Sequence, residues 1–261
     1  MKPNNWTETL LAWFDGFRRE LPWRESHPRN PYHVWVSEIM LQQTRTETVK
    51  GYFHRWMEQF PTIRDLAQAP EDQVLRAWQG LGYYSRARNL HKAARQVMVE
   101  WDGQLPRDRK ALGDLPGIGA YTVGAILSMA FGEKVPAVDG NLLRVLARLY
   151  GVEEDITGTQ GKKTITALAE AAIPADRPGD FNEAMMDLGA EICIPKHPRC
   201  EGCPLRESCR ALEEGKTEVL PVRKTKAPQK ELAAACGLVC REGRYLLHKR
   251  PAKGMLASMW E

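Results

Sequence analysis

Cys193, Cys200, Cys203 and Cys209 stand in the order C-x6-C-x2-C-x5-C, four thiols within 17 positions. Four thiolates can hold a zinc ion or a [4Fe-4S] cluster. Structural zinc sites are usually built from two separated C-x2-C knuckles. A single C-x2-C flanked by outlying cysteines in a compact loop suits a bulkier cube, so a [4Fe-4S] cluster is the expected cofactor. Two further thiols, Cys236 and Cys240, lie four apart and are expected to be buried side chains on one face of a strand, not ligands.

Glu38 lies in the apolar stretch WVSEIML beside Trp35, Ile39 and Met40. Burial there disfavours the ionised form and moves the pKa toward what a general acid at neutral pH requires. Asp139 precedes Gly140, Asn141 and the apolar run LLRVLARL, where an aspartate caps a helix or faces a reaction. In the segment LPGIGAYT, 115–122, Gly117 and Gly119 allow a tight turn. With Leu115 and Ile118 turned inward, the turn's amides point outward and can bind a phosphate. The GK[ST] ending of a nucleotide-binding loop is absent. Between the first two cysteines, Lys196, His197 and Arg199 form a basic loop suited to salt-sensitive phosphate contacts.

These residues need helices to position them. Apolar spacing predicts helices over 6–21, 34–52, 71–80, 85–101, 122–131, 141–150, 164–172 and 182–194, punctuated by PTIRD, GLGYYS, LPGIG and VPAVDG. No alternating β pattern precedes residue 231, so residues 1–210 are expected to be all-α. The polar, charged segment 211–230 reads as a linker. Residues 231–261 carry two short apolar runs around REGR, a β-hairpin pattern too small for a core of its own. The chain therefore reads as a fragment that ends where a second, β-rich domain has only begun. No apolar run approaches the roughly 20 residues of a membrane span, and no secretory signal opens the chain. A cytoplasmic, reducing setting is expected, which favours ligand cysteines over disulfides. The formal net charge of +4 permits a polyanionic partner without requiring one.

Trp35-Val36-Ser37-Glu38-Ile39-Met40-Leu41-Gln42-Gln43-Thr44, then GLGYYSRARNL at 80–90, LPGIGAYT, VDGN and the four cysteines occur in that order. Together they resemble the helix-hairpin-helix DNA glycosylases with an iron-sulfur loop, and among them the MutY-type adenine DNA glycosylases. The resemblance covers residues 6–261. It implies a two-lobed α fold with the active site in the cleft between a helical barrel and a lobe formed by the N-terminus and the cluster. It further implies that Glu38 protonates adenine and that Asp139 stabilises or captures the sugar cation. Gln43 and Tyr83 would fill or wedge the space of a flipped base, while Tyr84 is read as a core residue. Where bifunctional relatives carry a nucleophilic lysine, this chain has Tyr121, which implies a monofunctional enzyme that leaves an abasic site. Tyr121 is expected beside Asp139, with Asn141 positioning a water and Arg24 orienting Glu38.

The implied substrate is double-stranded DNA with adenine opposite 8-oxoguanine or guanine, bound by a monomer associated with the nucleoid and not with a membrane. RYLLHKRPAKGMLASMWE resembles the opening strands of a NUDIX-like domain that recognises 8-oxoguanine. Two alternatives stand beside this reading: a thymine glycosylase of G/T mismatches, and a non-catalytic DNA-binding iron-sulfur module. The pair Glu38 and Asp139 speaks against the second, because binding alone needs neither carboxylate.

Overall fold

The helix that carries Glu38 is started by its own sequence. Asn30 accepts hydrogen bonds from the amides of Tyr32 (2.9 Å) and His33 (3.4 Å), and Pro31 takes the first turn, where an N–H would lack a partner. The computed structural model describes residues 6–26, 28–224, 233, 235, 237–251 and 260–261. The chain forms two units, Met1–Lys224 and Thr225–Glu261.

In the first unit the helices are α1 (Trp6–Phe17), α2 (Pro31–Leu41), α3 (Thr46–Gln59), α4 (Ile63–Gln68), α5 (Glu71–Ala77), α6 (Ser85–Trp101), α7 (Arg109–Gly113), α8 (Ala120–Ala125), α9 (Gly140–Tyr150), α10 (Thr159–Ala172), α11 (Pro178–Glu191) and α12 (Arg210–Glu213). Two apolar cores hold them. One gathers α2 to α8 around Trp35, Phe53, Trp56, Trp78 and Leu90. The other joins α1 to α9, α10 and α11 through Leu10, Phe14, Leu146, Ile165 and Phe181, and reaches the cysteine loop at Leu205. The N-terminal helix thus packs with the C-terminal half of the unit, as the resemblance implied. A small cluster of Ala125, Ala137 and Met186, with Tyr121 and Met129 beside it, lies where α8 meets α11.

Several boundaries differ from the periodicity. The expected helix 34–52 is broken between Leu41 and Thr46, because Gln43 adopts a left-handed conformation with φ 61°. No glycine or proline marks that break. The short helices α4, α7 and α12 escaped the apolar pattern, although Thr62 and Asp65 form a reciprocal capping box at α4. Beyond Ala125, α8 passes into a π turn, Ile126–Ala130, whose Ser128 hydroxyl donates to the Gly124 carbonyl (2.7 Å).

Residues 211–224 belong to the first unit and do not form a free linker. Ala211 and Leu220 are buried, Arg148 Nε donates to the Leu220 carbonyl (2.8 Å), and Ile156 N donates to Val222 O (3.1 Å). A few apolar side chains and backbone bonds anchor the segment despite its polar composition. In the second unit, strands β1 (Cys240–Arg241) and β2 (Arg244–Tyr245) pair antiparallel around Glu242 and Gly243. Both turn residues have positive φ, as a tight two-residue hairpin requires. Cys240 is exposed, contrary to the expectation of burial, since a two-stranded ribbon has no second layer to cover a face. Cys236 lies outside the described residues. No helix among the described residues is long and apolar enough to cross a membrane.

Close packing aims the segment that enters α9. A Cβ on Gly124 would stand 2.5 Å from the Pro136 carbonyl oxygen, against rigid backbone. Gly124→Ala is expected to destabilise the unit by about 1–3 kcal/mol, seen as a lower urea midpoint at unchanged m-value.

Candidate active site and cysteine loop

Glu38 sits on α2 with Trp35, Ile39 and Met40 buried around it, and is itself only 5% exposed. Burial raises its pKa to about 7; the Asp139 carboxylate pushes the same way, while the Tyr121 hydroxyl and the Arg24 charge oppose the rise. The Tyr121 hydroxyl donates to Glu38 Oε2. Its hydrogen-bond partner is therefore Glu38, and it shares a cavity with Asp139, beside which it is expected. Burial, then the neighbouring carboxylates, lift the Tyr121 phenol well above its usual range, so it stays a donor.

Behind Glu38, α11 supplies a charged layer that the sequence reading missed. Asp187 accepts from Arg24 Nη1 (2.8 Å) and Arg19 Nε (2.7 Å), and Glu183 pairs with Arg24 Nε (3.2 Å) and Arg29 Nη2 (3.1 Å). Arg24 acts on Glu38 through its charge, because its hydrogen bonds go to α11. The only sequence signal for this layer was a pair of acids inside the otherwise apolar FNEAMMDLGA, 181–190.

Asp139 does cap α9, accepting from Leu142 N at 2.7 Å, and its other oxygen accepts from Asn141 Nδ2 at 2.8 Å. Burial raises its pKa against those bonds. Asn182 fixes the approach to this cap: its amide donates to Val135 O (3.0 Å) and Ser128 Oγ (2.7 Å), and its oxygen accepts from Ala137 N (2.9 Å). Arg144 Nη2 donates to Asn141 Oδ1 (2.8 Å) and Gly189 O (2.7 Å), and Arg144 Nε to Cys193 O (2.7 Å). One turn further on, Arg148 reaches Ile194 O (2.7 Å), Pro195 O (3.0 Å) and Cys193 Sγ (3.4 Å). The same helix therefore carries the second carboxylate at its start and holds the cysteine loop along its side.

Cys193, Cys200, Cys203 and Cys209 all line one small cavity, with Arg148, Ile192 and Leu212 around them. Burial and then the neighbouring sulfurs push the Cys203 thiol up to about 11, and burial also raises Cys200 and Cys209. Among the described residues no group of three or more His, Cys, Asp or Glu side chains is arranged to hold a single metal ion. Lys196, His197 and Arg199 are exposed on the loop, with His197 Nδ1 3.5 Å from Glu218.

A cavity of about 410 Å³ is lined by Glu38, Gln43, Tyr121, Asp139, Asn141 and Met186, among others. It adjoins a narrow recess of about 40 Å³ that Trp23, Arg24, Glu38, Met129, Glu183 and Met186 line. The structure thus brings five sequence-predicted residues, Glu38, Gln43, Tyr121, Asp139 and Asn141, to one cavity. Gln43 and Tyr83 are exposed at tight turns, each with positive φ (61° and 46°), and Tyr84 packs against the core. Gly117, φ 81°, has no room for a Cβ, which would meet Asn89 Cβ at 2.9 Å, while Gly119 faces open space. Leu115, in the turn expected to bind a phosphate, is buried in the core, so its side chain cannot touch a duplex.

Residues 36–174 match the HhH-GPD superfamily of base excision DNA repair proteins, and the chain belongs to that superfamily. The adenine DNA glycosylase of Mus musculus is 38% identical over 303 residues, covering 97% of this chain and 59% of that protein. The chain thus spans just over half the length of that relative. A solved structure of a thermostable thymine-DNA glycosylase superposes with TM-score 0.71 at 32% identity, covering 80% of this chain and 95% of that one. A non-covalent Endonuclease III–DNA complex gives TM-score 0.66 at 26% identity, covering 80% and 94%. Within the superfamily, the sequence likeness along nearly the whole chain puts it with the MutY-type adenine DNA glycosylases.

The raised pKa of Glu38 makes stability depend on pH. Between its ordinary value of 4.5 and about 7 the folded state binds more protons than the unfolded chain, so stability falls as pH rises through that window. Glu38→Gln removes this loss. Its stability relative to the unmodified chain is expected to grow by on the order of 2 kcal/mol between about pH 5 and pH 8, as measured by urea unfolding at each pH.

Proposed function

We propose that the chain is a monofunctional adenine DNA glycosylase of base excision repair, releasing adenine opposite 8-oxoguanine or guanine in double-stranded DNA and leaving an abasic site. The observation that carries this reading is a buried carboxyl with a pKa near 7 sharing one cavity with a second carboxylate, Asp139, and with Gln43. Breaking an N-glycosidic bond sends the bonding electron pair to the leaving base and leaves positive charge on the sugar. Glu38 gives its proton to the departing adenine, and the Asp139 carboxylate faces the sugar cation until water, or Asp139 itself, captures it. Asn141 and the Leu142 amide hold Asp139 in place for this role. The cavity lining contains no lysine, so an amine nucleophile is lacking for a lyase step.

The adenine must leave the stack before it reaches Glu38, and exposed Gln43 and Tyr83 take the vacated space. The Gly117–Gly119 turn and the basic side chains Lys196, His197 and Arg199 grip phosphates. The four cysteines line one cavity, which fits the ligand set of a [4Fe-4S] cluster. A bound cluster would cross-link the loop and fix its fold. The hairpin at 240–245 suits the start of a NUDIX-like domain, which would supply preference for 8-oxoguanine. The protein works as a cytoplasmic, nucleoid-associated monomer. A second reading, thymine release from G/T mismatches, is favoured by the likeness to the thymine-DNA glycosylase structure.

Duplexes with A opposite 8-oxoguanine, A opposite G and T opposite G separate the readings. Alkali-dependent cleavage of the adenine strands is expected, and cleavage only at T opposite G would establish the second reading. Strand breaks without alkali would contradict monofunctional chemistry. In single-turnover assays Glu38→Gln should lose at least about a hundredfold in base release, in the range of a lost general acid, while duplex binding is kept. The chemistry needs protonated Glu38, so kcat/KM should fall above about pH 7. Tyr121→Phe removes a bond that favours the ionised form, and the fall in its pH–rate profile is expected at higher pH.

A further inference from the structure

Gln43 and Tyr83 lie on different turns, one following α2 and one preceding α6, and neither turn is an easy backbone. Gln43 (φ 61°) and Tyr83 (φ 46°) are both left-handed without being glycine, which persists only where the surroundings impose it. A single side chain bonds to both turns. Arg86 Nη1 donates to the carbonyls of Ile39 (2.9 Å), Met40 (3.1 Å) and Gln42. Its Nη2 donates to the carbonyls of Leu81 (3.0 Å) and Gly82 (3.3 Å) and touches the Thr44 hydroxyl (3.4 Å). Its guanidinium lies over the rings of Trp78 (5.2 Å) and Tyr83 (5.7 Å).

The chemistry explains why arginine stands here. The last carbonyls of α2 lack helical partners and carry the negative end of its dipole, so a cation is stabilised there. Arg86 forms no ion pair among the described residues; carbonyl dipoles offset its charge. A rigid fork can bond two turns at once, whereas an ammonium is a point donor. Other contacts tie down the second turn alone: Trp78 Nε1 donates to Gly82 O (3.1 Å) and the Tyr52 hydroxyl to Gln79 O (2.8 Å).

We infer that Arg86 is a positioning residue for duplex opening: its guanidinium fixes the two exposed turns relative to each other, so that Gln43 and Tyr83 enter the DNA as one unit. This inference rests on the proposed glycosylase function and on the roles given there to these two side chains. It makes base flipping a joint act of both turns, with the spacing between wedge and filler set from within the protein.

Double-mutant cycles test it. Arg86→Lys, Gln43→Ala, Tyr83→Ala and the two doubles that pair Arg86→Lys with each are assayed for single-turnover adenine release, below the lowest melting transition of the set. Arg86→Lys is expected to lose roughly ten- to a hundredfold, the scale of a small misplacement of positioned groups. Each double should fall less than about threefold below its worse single, because the lost fork has already misplaced the partner. Arg86→Lys paired with Lys196→Ala, on the distant loop, should instead show multiplied losses. Multiplied losses in either of the first two cycles, wild-type rates for Arg86→Lys, or no loss for Gln43→Ala or Tyr83→Ala would overturn the inference. If Arg86→Lys does not fold, Arg86→Gln, whose amide can reach one turn only, enters the same cycles. The unmodified chain separates the two levels: no adenine release from it overturns the function, while release from it with multiplied losses overturns the clamp alone.

Discussion

An acid that keeps its proton near neutrality must be kept from water, and the arrangement around Glu38 follows from that constraint. A buried carboxyl next to unpaired cations would ionise, and one next to unpaired anions would hold its proton too tightly to give it up. The layer of Arg19, Arg24 and Arg29 against Glu183 and Asp187 avoids both outcomes, since its charges are paired among themselves. Such pairs are weak contributors to stability because desolvation opposes their attraction. Their value here is electrostatic balance. Glu38 is left to respond mainly to burial, with Tyr121 and Arg24 moderating the rise.

The two carboxylates come from different cores, Glu38 from the one built on α2 to α8 and Asp139 from the head of α9 in the other. Their separation is therefore a packing property. Met186, Ala125 and Ala137 fill the junction, and Asn182 pins the Val135–Ala137 segment to α11 and to the π turn. On the far side of α9, Arg144 and Arg148 bond the backbone of the cysteine loop. Burial raises the pKa of the Cys200, Cys203 and Cys209 thiols, and the loop's shape rests on these arginine bonds and on turns at Cys200–Gly202 and Arg206–Ser208.

Much of the site was legible because chemistry and local structure left marks in the same short segments. The glutamate in WVSEIML, the aspartate before LLRVLARL and the spaced cysteines each combined a reactive group with an unusual setting. Other parts left weaker marks. The break at Gln43 could not be read because nothing in Gln42-Gln43-Thr44 looks like a turn; the carbonyl that precedes Gln43 is bonded by Arg86, which lies 43 positions beyond Gln43 in sequence. Segment 211–224 read as linker because two buried side chains, Ala211 and Leu220, are too few to give a period. Tyr121 stands out in the sequence only by its place after the glycines of LPGIG, and its hydrogen bond to Glu38 depends on the crossing of α2 and α8, which no local pattern encodes. Arg144 resembled any helical arginine, and only its bonds to Asn141 and Cys193 distinguish it.

Tyr121 also bears on the likeness to both adenine and thymine glycosylases. Its hydroxyl moderates the acid, and under the proposed function a phenol at this position suits hydrolytic release of either base. Adenine offers ring nitrogens that a proton can reach as the bond breaks, and protonation there makes it a better leaving group. Thymine lacks a comparably basic ring nitrogen, so an acid with a pKa near 7 helps it far less. The raised Glu38 carboxyl therefore favours adenine on chemical grounds, independently of the shape that the two kinds of enzyme share.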